Sequence, residues 1–201
     1  MSTAGPNILI VNGTTSANST TKAVLKIVME KLSSYGAKVD FLDLSATSLA
    51  LFNPETAYGH ESYPPLKKRV EAADVLLLGK PDYHGCMSCA LKNFLDHFWL
   101  EYAGKLFATI VASYDKGLTV TDQIRTLARQ CYAWSLPYAV AFADKADFKD
   151  GQIVNESFAQ RLEILSRDLC TYGALLSRQR KEDLASTEPG FMARFRGPSR
   201  P

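Results

Sequence analysis

A chain of 201 residues, 46% hydrophobic and 22% charged, has the length and balance of one globular domain, which excludes disordered, collagen-like and disulfide-scaffold readings. A formal net charge of +2 leaves no electrostatic footprint for nucleic acid, and the late basic residues (Arg178, Arg180, Lys181, Arg194, Arg196, Arg200) come without an aromatic ladder. No apolar run reaches the roughly 20 residues that would span a bilayer, no leader pattern opens the chain and four cysteines do not make a secreted framework, so the expected compartment is the cytoplasm, with no membrane partner.

In chain order, residues 7–11 (NILIV) form a continuous apolar run suited to a strand buried on both faces. A Gly/Thr/Ser loop leads into a helix expected over residues 19–35, with Val24, Leu25, Val28 and Leu32 at helical spacing and Gly36 as its stop. Residues 38–44 read as a second strand, 66–73 as a short helix, and 74–80 as a third strand stopped by Pro81. Residues 90–102 are amphipathic, with Leu91, Phe94, Leu95, Phe98 and Trp99 on one stripe. A fourth strand (106–112), a fourth helix (119–135), a fifth strand (136–142) and a last helix (156–179) follow.

Five strand–helix units predict a single α/β domain over residues 1–180, with residues 181–201 as a tail, flexible or an interface arm. The expected architecture is a flavodoxin-like three-layer sandwich: a five-stranded parallel sheet of order 2-1-3-4-5 with helices on both faces. Ligands bind such sheets beyond the carboxyl ends of the strands, which here means the loops at 13–21, 81–89 and 113–117.

The first of these loops carries six hydroxyls in eight positions, from Thr14 to Thr21, and runs straight into a helix. Hydroxyls and unpaired N–H groups at a helix N-terminus suit a phosphate monoester, and Gly13 is expected to turn the chain sharply off the strand. One helix cap needs only one hydroxyl. The loop has neither the Gly-Lys-Ser/Thr of a nucleotide triphosphatase nor the three glycines of a dinucleotide fingerprint.

Residues 81–98, PDYHGCMSCALKNFLDHF, resemble the P-E-Y-N-G-S-x-P-x-x-L-K-N-x-x-D signature of the NADPH-dependent FMN reductase family. Pro81, Tyr83, Gly85, Leu91, Lys92, Asn93 and Asp96 match it, while Asp82 stands for Glu and His84 for Asn. The first loop resembles the same family's G-S-x-R-x-x-S-x-N at Gly13 and Ser19, with Thr14, Ser16 and Thr21 as departures. The resemblance implies bound FMN, reduced by NADPH or NADH and reoxidised by a small acceptor such as a flavin, quinone, azo compound or metal oxyanion. It implies that Thr14, Ser16, Asn18, Ser19, Thr20 and Thr21 hold the phosphate, Lys22 being nearby. Pro81, Asp82, Tyr83, His84 and Gly85 would line the isoalloxazine edge through backbone groups, and Ser113, Tyr114 and Gly117 would form the third loop.

Hydride transfer between stacked rings needs no protein acid or base, so no catalytic residue is expected, and neither is a metal. Cys86-x-x-Cys89 opens a helix as redox dithiols do, but relatives carry small residues there. The aromatic third helix suggests a subunit interface, and relatives are commonly dimers or tetramers. A flavodoxin-type electron carrier and an FMN-binding protein without turnover are the alternative functions; carriers of that type are strongly acidic, whereas this chain is near neutral.

Overall fold

In a computed structural model of the chain, residues 5–197 are described. β1 (Asn7–Asn12) feeds α1 (Thr20–Ser34), which returns to β2 (Lys38–Asp43). α2 (Tyr63–Ala72), β3 (Val75–Pro81), α3 (Cys89–Asp96), β4 (Leu106–Ala112) and α4 (Leu118–Gln130) follow, then β5 (Trp134–Ser135) and β6 (Val140–Phe142). A hairpin of β7 (Phe148–Lys149) and β8 (Gln152–Ile153) precedes α5 (Glu156–Ala185).

The main sheet is wholly parallel in the order β2-β1-β3-β4-β5, with β6 also beside β4. It is the expected flavodoxin-like order. Successive side chains of β3 serve two cores: Val75 and Leu77 pack with α1 and α5, whereas Leu76 and Leu78 pack with α2, α3 and α4. A strand covered on both faces has to be apolar throughout, which is why these segments read as unbroken hydrophobic runs. Among the described residues no helix is long and apolar enough to cross a membrane.

Several expectations are corrected. The fifth strand is two pieces, because Pro137 supplies no ladder donor; its carbonyl instead accepts from Arg125 Nη2 at 2.5 Å. The fourth helix stops at Gln130, and Trp134–Ser135 joins the sheet. The third helix ends at Asp96, with Nδ1 of His97 against the Asn93 carbonyl at 2.8 Å and Trp99 far from helical geometry. Phe94 and Phe98 lie within the core while Trp99 is 53% exposed, so the stripe divides between core and surface. The last helix runs to Ala185, and Phe191–Phe195 forms a 3-10 turn packed on the body through Met192, which is buried. Arg200 lies outside the described residues.

Candidate functional site

β1, β3 and β4 are neighbours in the sheet, so the loops at their carboxyl ends are brought side by side along one edge. Asn12 closes β1, and its Nδ2 donates to Asp43 Oδ1 at 2.7 Å, joining the ends of β1 and β2. Lys22 Nζ meets the same carboxylate at 2.5 Å. Burial would raise the Asp43 pKa, but the bonds from Lys22, Ser45 and Asn12 hold it well below the usual carboxylate range. Lys22 is thus paired with Asp43 while it also lines the groove beside Asn18, Ser19 and Thr20.

The first loop contains no left-handed glycine at Gly13. Gly13 is required by close packing instead of by a sharp turn: a Cβ there would come within 3.0 Å of the Gly79 carbonyl and of Leu91 Cβ. Its N–H donates to Gly79 O at 2.7 Å, and its carbonyl accepts from the Ser88 hydroxyl. Thr14 is buried, and its Oγ1 accepts from Ser16 N at 3.1 Å, so this hydroxyl shapes the loop. Thr21 is buried in the first turn of α1, and Ser19 caps that helix through Lys22 N at 3.4 Å. Ser16 and Asn18 are exposed, and Ser19 and Thr20 half-buried.

Six hydroxyls thus divide into structural and outward-facing sets. The backbone completes the site: the N–H groups of Thr15, Ala17, Asn18, Thr20 and Thr21 have no acceptor among the described residues. Free N–H groups wrapped around a helix N-terminus are the donor set a phosphate dianion needs, so these residues fit FMN at its phosphate end.

The second loop is a two-residue reversal. Tyr83 and Cys86 exchange backbone hydrogen bonds of 3.1 and 3.0 Å across His84 (φ 57°) and Gly85 (φ 75°), both left-handed. That is a type I′ turn, in which Asn-Gly is the favoured pair and His is among the better-tolerated substitutes. Asp82 braces it: Oδ1 accepts from Gly85 N at 2.8 Å and Oδ2 from the Ser113 hydroxyl at 2.9 Å, tying the second loop to the third. Gln123 of α4 holds the other side, with Nε2 on Gly85 O at 3.2 Å and Oε1 on Met87 N at 3.0 Å.

Most backbone groups of the second loop are spent internally, which narrows the expected ladder for a flavin edge. Within residues 82–85 the N–H of His84 is the one left without an acceptor among the described residues. The third loop keeps the N–H of Tyr114 free, while Ser113 N bonds to Phe142 O and Asp115 N to Ser113 Oγ. Gly117 (φ 60°) opens α4 against Val111, where a Cβ would clash at 2.6 Å. Asp82, His84, Gly85, Ser113 and Tyr114 line a groove of about 520 Å³ together with Leu118 and Thr119 of α4. Pro81 ends β3 beside it, and Tyr83 and Tyr114 are 51% and 86% exposed.

Under this loop Lys80 is fully buried, and its Nζ has no hydrogen-bond partner among the described residues. Burial pushes its pKa down to about 8, against the opposing pull of Asp82 and Cys86. In the sequence Lys80 is marked only as a lysine within an otherwise apolar strand. The β7–β8 hairpin is a second feature absent from the expected elements. Lys145, Lys149 and Gly151 of that segment face Asn18, Ser19 and Thr20 across a groove of about 780 Å³. The signal there was Asp150-Gly151 between short apolar stretches, a two-residue hairpin pair.

His97 lies in the core and His84 at the surface loop, so the two histidines make no common site. Cys86 and Cys89 are free and exposed, and Cys86 Sγ lies 3.5 Å from Gln123 Nε2. Asn93 and Lys92 of the signature are structural: Asn93 fastens residues 50–52 through Phe52 N and Ala50 O, and Lys92 pairs with Asp96 at 2.5 Å.

Residues 6–147 match the family described as NADPH-dependent FMN reductase. An FMN-dependent NADPH-azoreductase of Staphylococcus aureus is 28% identical over 148 residues, 70% of this chain and 78% of the relative. Among solved structures, the chain is similar in fold to FerB, a flavoenzyme NAD(P)H:(acceptor) oxidoreductase from Paracoccus denitrificans. That match has a TM-score of 0.69 at 18% identity and covers 87% of this chain and 98% of the other. It is also similar to an FMN-dependent NADH-azoreductase from Bacillus anthracis, with a TM-score of 0.62, 11% identity and coverage of 83% and 100%.

Proposed function

Since the chain belongs to the NADPH-dependent FMN reductase family, we propose that it binds FMN between its three carboxyl-end loops and uses it to carry electrons from a reduced nicotinamide to a small acceptor. The observation that carries this reading is the ring of unpaired N–H groups from Thr15 to Thr21 at the start of α1. It supports a phosphate at one end of a continuous edge whose other end is the groove between His84 and Tyr114. FMN, when bound, supplies the two-electron centre that nicotinamide reduces. The protein's share is to hold the phosphate with Ser16, Asn18, Ser19 and Thr20, to fix the ring with the turn at residues 83–86, and to keep both loops in register through Asp82.

An acceptor of the flavin, quinone or azo class is part of the reading, as in the named relatives. So are a cytoplasmic location and a homodimer or homotetramer; the exposed Tyr83, Tyr114 and Leu118 around the groove support a partner surface there. The decisive experiment is anaerobic addition of NADPH or NADH to the purified yellow protein, followed by an azo dye or quinone. Rapid bleaching and reoxidation by the acceptor are expected. Flavin that stays oxidised with both donors would overturn the reductase reading in favour of a carrier, and absence of FMN binding would overturn the reading altogether.

A further inference from the structure

The opposite edge of the sheet, where the strands begin, holds a second concave site. Lys105 immediately precedes β4, so this region lies a full strand length of about 20 Å from the loops that follow Ala112. A cavity of about 540 Å³ opens here, lined by Lys105, Arg180, Arg194 and Arg196 among others. Small-molecule pockets span roughly 300–1,000 Å³, so the size admits a small organic ligand.

Its charge is out of balance. None of Lys105, Arg180, Arg194 and Arg196 forms an ion pair with a carboxylate among the described residues. The two acids in the lining, Glu71 and Glu101, both face Lys67, at 3.9 and 3.6 Å. Burial and the Arg180 charge push the Lys105 pKa down to about 7 against the pull of Asp74, Glu71 and Glu101, so the arginines carry the standing charge; Asp74 spends its oxygens on the Asn7 N–H and the Ser177 hydroxyl. Lys105 is buried and caps the carboxyl end of α2 through the Val70 and Glu71 carbonyls.

Helix ends account for only part of this cluster. Arg196 donates to Asp183 O and Glu188 O, each at 2.8 Å, which closes the end of α5. Arg180 uses Nε alone, on Ala103 O at 2.8 Å, and Arg194 uses one Nη on the Tyr132 hydroxyl. A guanidinium carries five N–H groups, so both keep unspent donors while lining the cavity, where Arg194 is exposed and lies over the Tyr132 ring at 4.6 Å.

The surrounding chain is shaped to bring these groups together. Gly104 is left-handed (φ 74°), and a Cβ there would come within 3.1 Å of Arg180 and 3.0 Å of Met192 Sδ. The C-terminal turn forms one wall, pinned by Met192 and by edge contacts of Phe191 with Trp134 and Phe195 with Tyr132. Trp99, Leu100 and Leu184 add apolar surface beside the cations.

We propose that this cavity is a ligand site in its own right, for a small organic anion bearing a phosphate or carboxylate on an apolar body. Unspent guanidinium donors recognise the anionic group, and the apolar lining takes the body. The site is separate from the flavin edge and does not depend on it.

The test is calorimetric titration of the full chain, with and without excess FMN, using phenyl phosphate, benzoate and neutral phenol at constant ionic strength. Saturable one-to-one binding of phenyl phosphate or benzoate, indifferent to FMN, is expected, and the tighter of the two names the anionic group. Phenol is expected to bind at least tenfold more weakly, as is the tighter anion to Arg194→Ala, with partial recovery in Arg194→Lys. Arg180→Gln is a second variant with the same expected loss, and Arg194→Ala serves if that chain fails to fold. No saturable binding of either anion, equal binding of phenol, displacement of the anion by FMN, or unchanged affinity in the arginine variants would overturn the proposal.

Discussion

His84 occupies a left-handed position in a type I′ turn, so its backbone role differs from any role of its ring. His84→Asn is expected to leave stability within a few tenths of a kcal/mol. His84→Val, β-branched at positive φ, should cost about 1–2 kcal/mol in urea unfolding. Equal costs for the two would place the value of His84 in its ring. Asp82 is the brace between the second and third loops. Asp82→Ala should weaken FMN binding by about tenfold, read by flavin fluorescence, since a hydrogen bond to a charged group contributes about 1.5–3 kcal/mol. Lys80 holds its proton less firmly in the folded chain, where its pKa is about 8, than in the unfolded one. The unfolded chain therefore binds more protons between about pH 8 and the ordinary lysine range, and stability rises with pH through that window. The urea midpoint of the wild type should climb relative to Lys80→Met between about pH 7.5 and 9.5; a constant difference would show that the ammonium stays charged.

At the scale of elements, the loop between β1 and α1 combines a helix N-terminus with unpaired N–H groups. Riboflavin, which lacks the phosphate, should bind at least about 100-fold more weakly than FMN, a ratio worth about 2.7 kcal/mol. Near-equal affinities would place the phosphate elsewhere. The density of hydroxyls in residues 14–21 was legible in the sequence, but the division of labour among them was not. Thr14 and Thr21 turn inward and Ser19 caps the helix, which follows from the path of the backbone and not from residue type. The third helix was read too long because the aromatic stripe continues in sequence past Asp96, where the chain has already left the helix to reach β4.

At the scale of the molecule, residues 181–197 continue α5 and pack back through Met192. Truncation after Ser186 removes Met192 from its buried seat. It should lower unfolding stability by about 2–3 kcal/mol, the value of burying one large apolar side chain, and leave the size-exclusion volume of the oligomer unchanged. A shift to smaller size would make the tail a subunit contact. The same truncation removes Arg194 and Arg196 and with them most of the cationic wall of the second cavity.

The linear sequence was sufficient for the alternation of buried strands and amphipathic helices, hence the parallel sheet and its strand order. Those properties follow from hydrophobic period and from short connections, which are local. Tertiary structure alone decided that Lys22 pairs with Asp43, that Asp82 joins two loops, that Lys80 has no hydrogen-bond partner among the described residues, and that Lys105 and three arginines gather at the far edge. Each of these depends on groups distant in the chain meeting at short range, where hydrogen bonding and Coulomb interactions act, and no periodicity along the sequence encodes such a meeting.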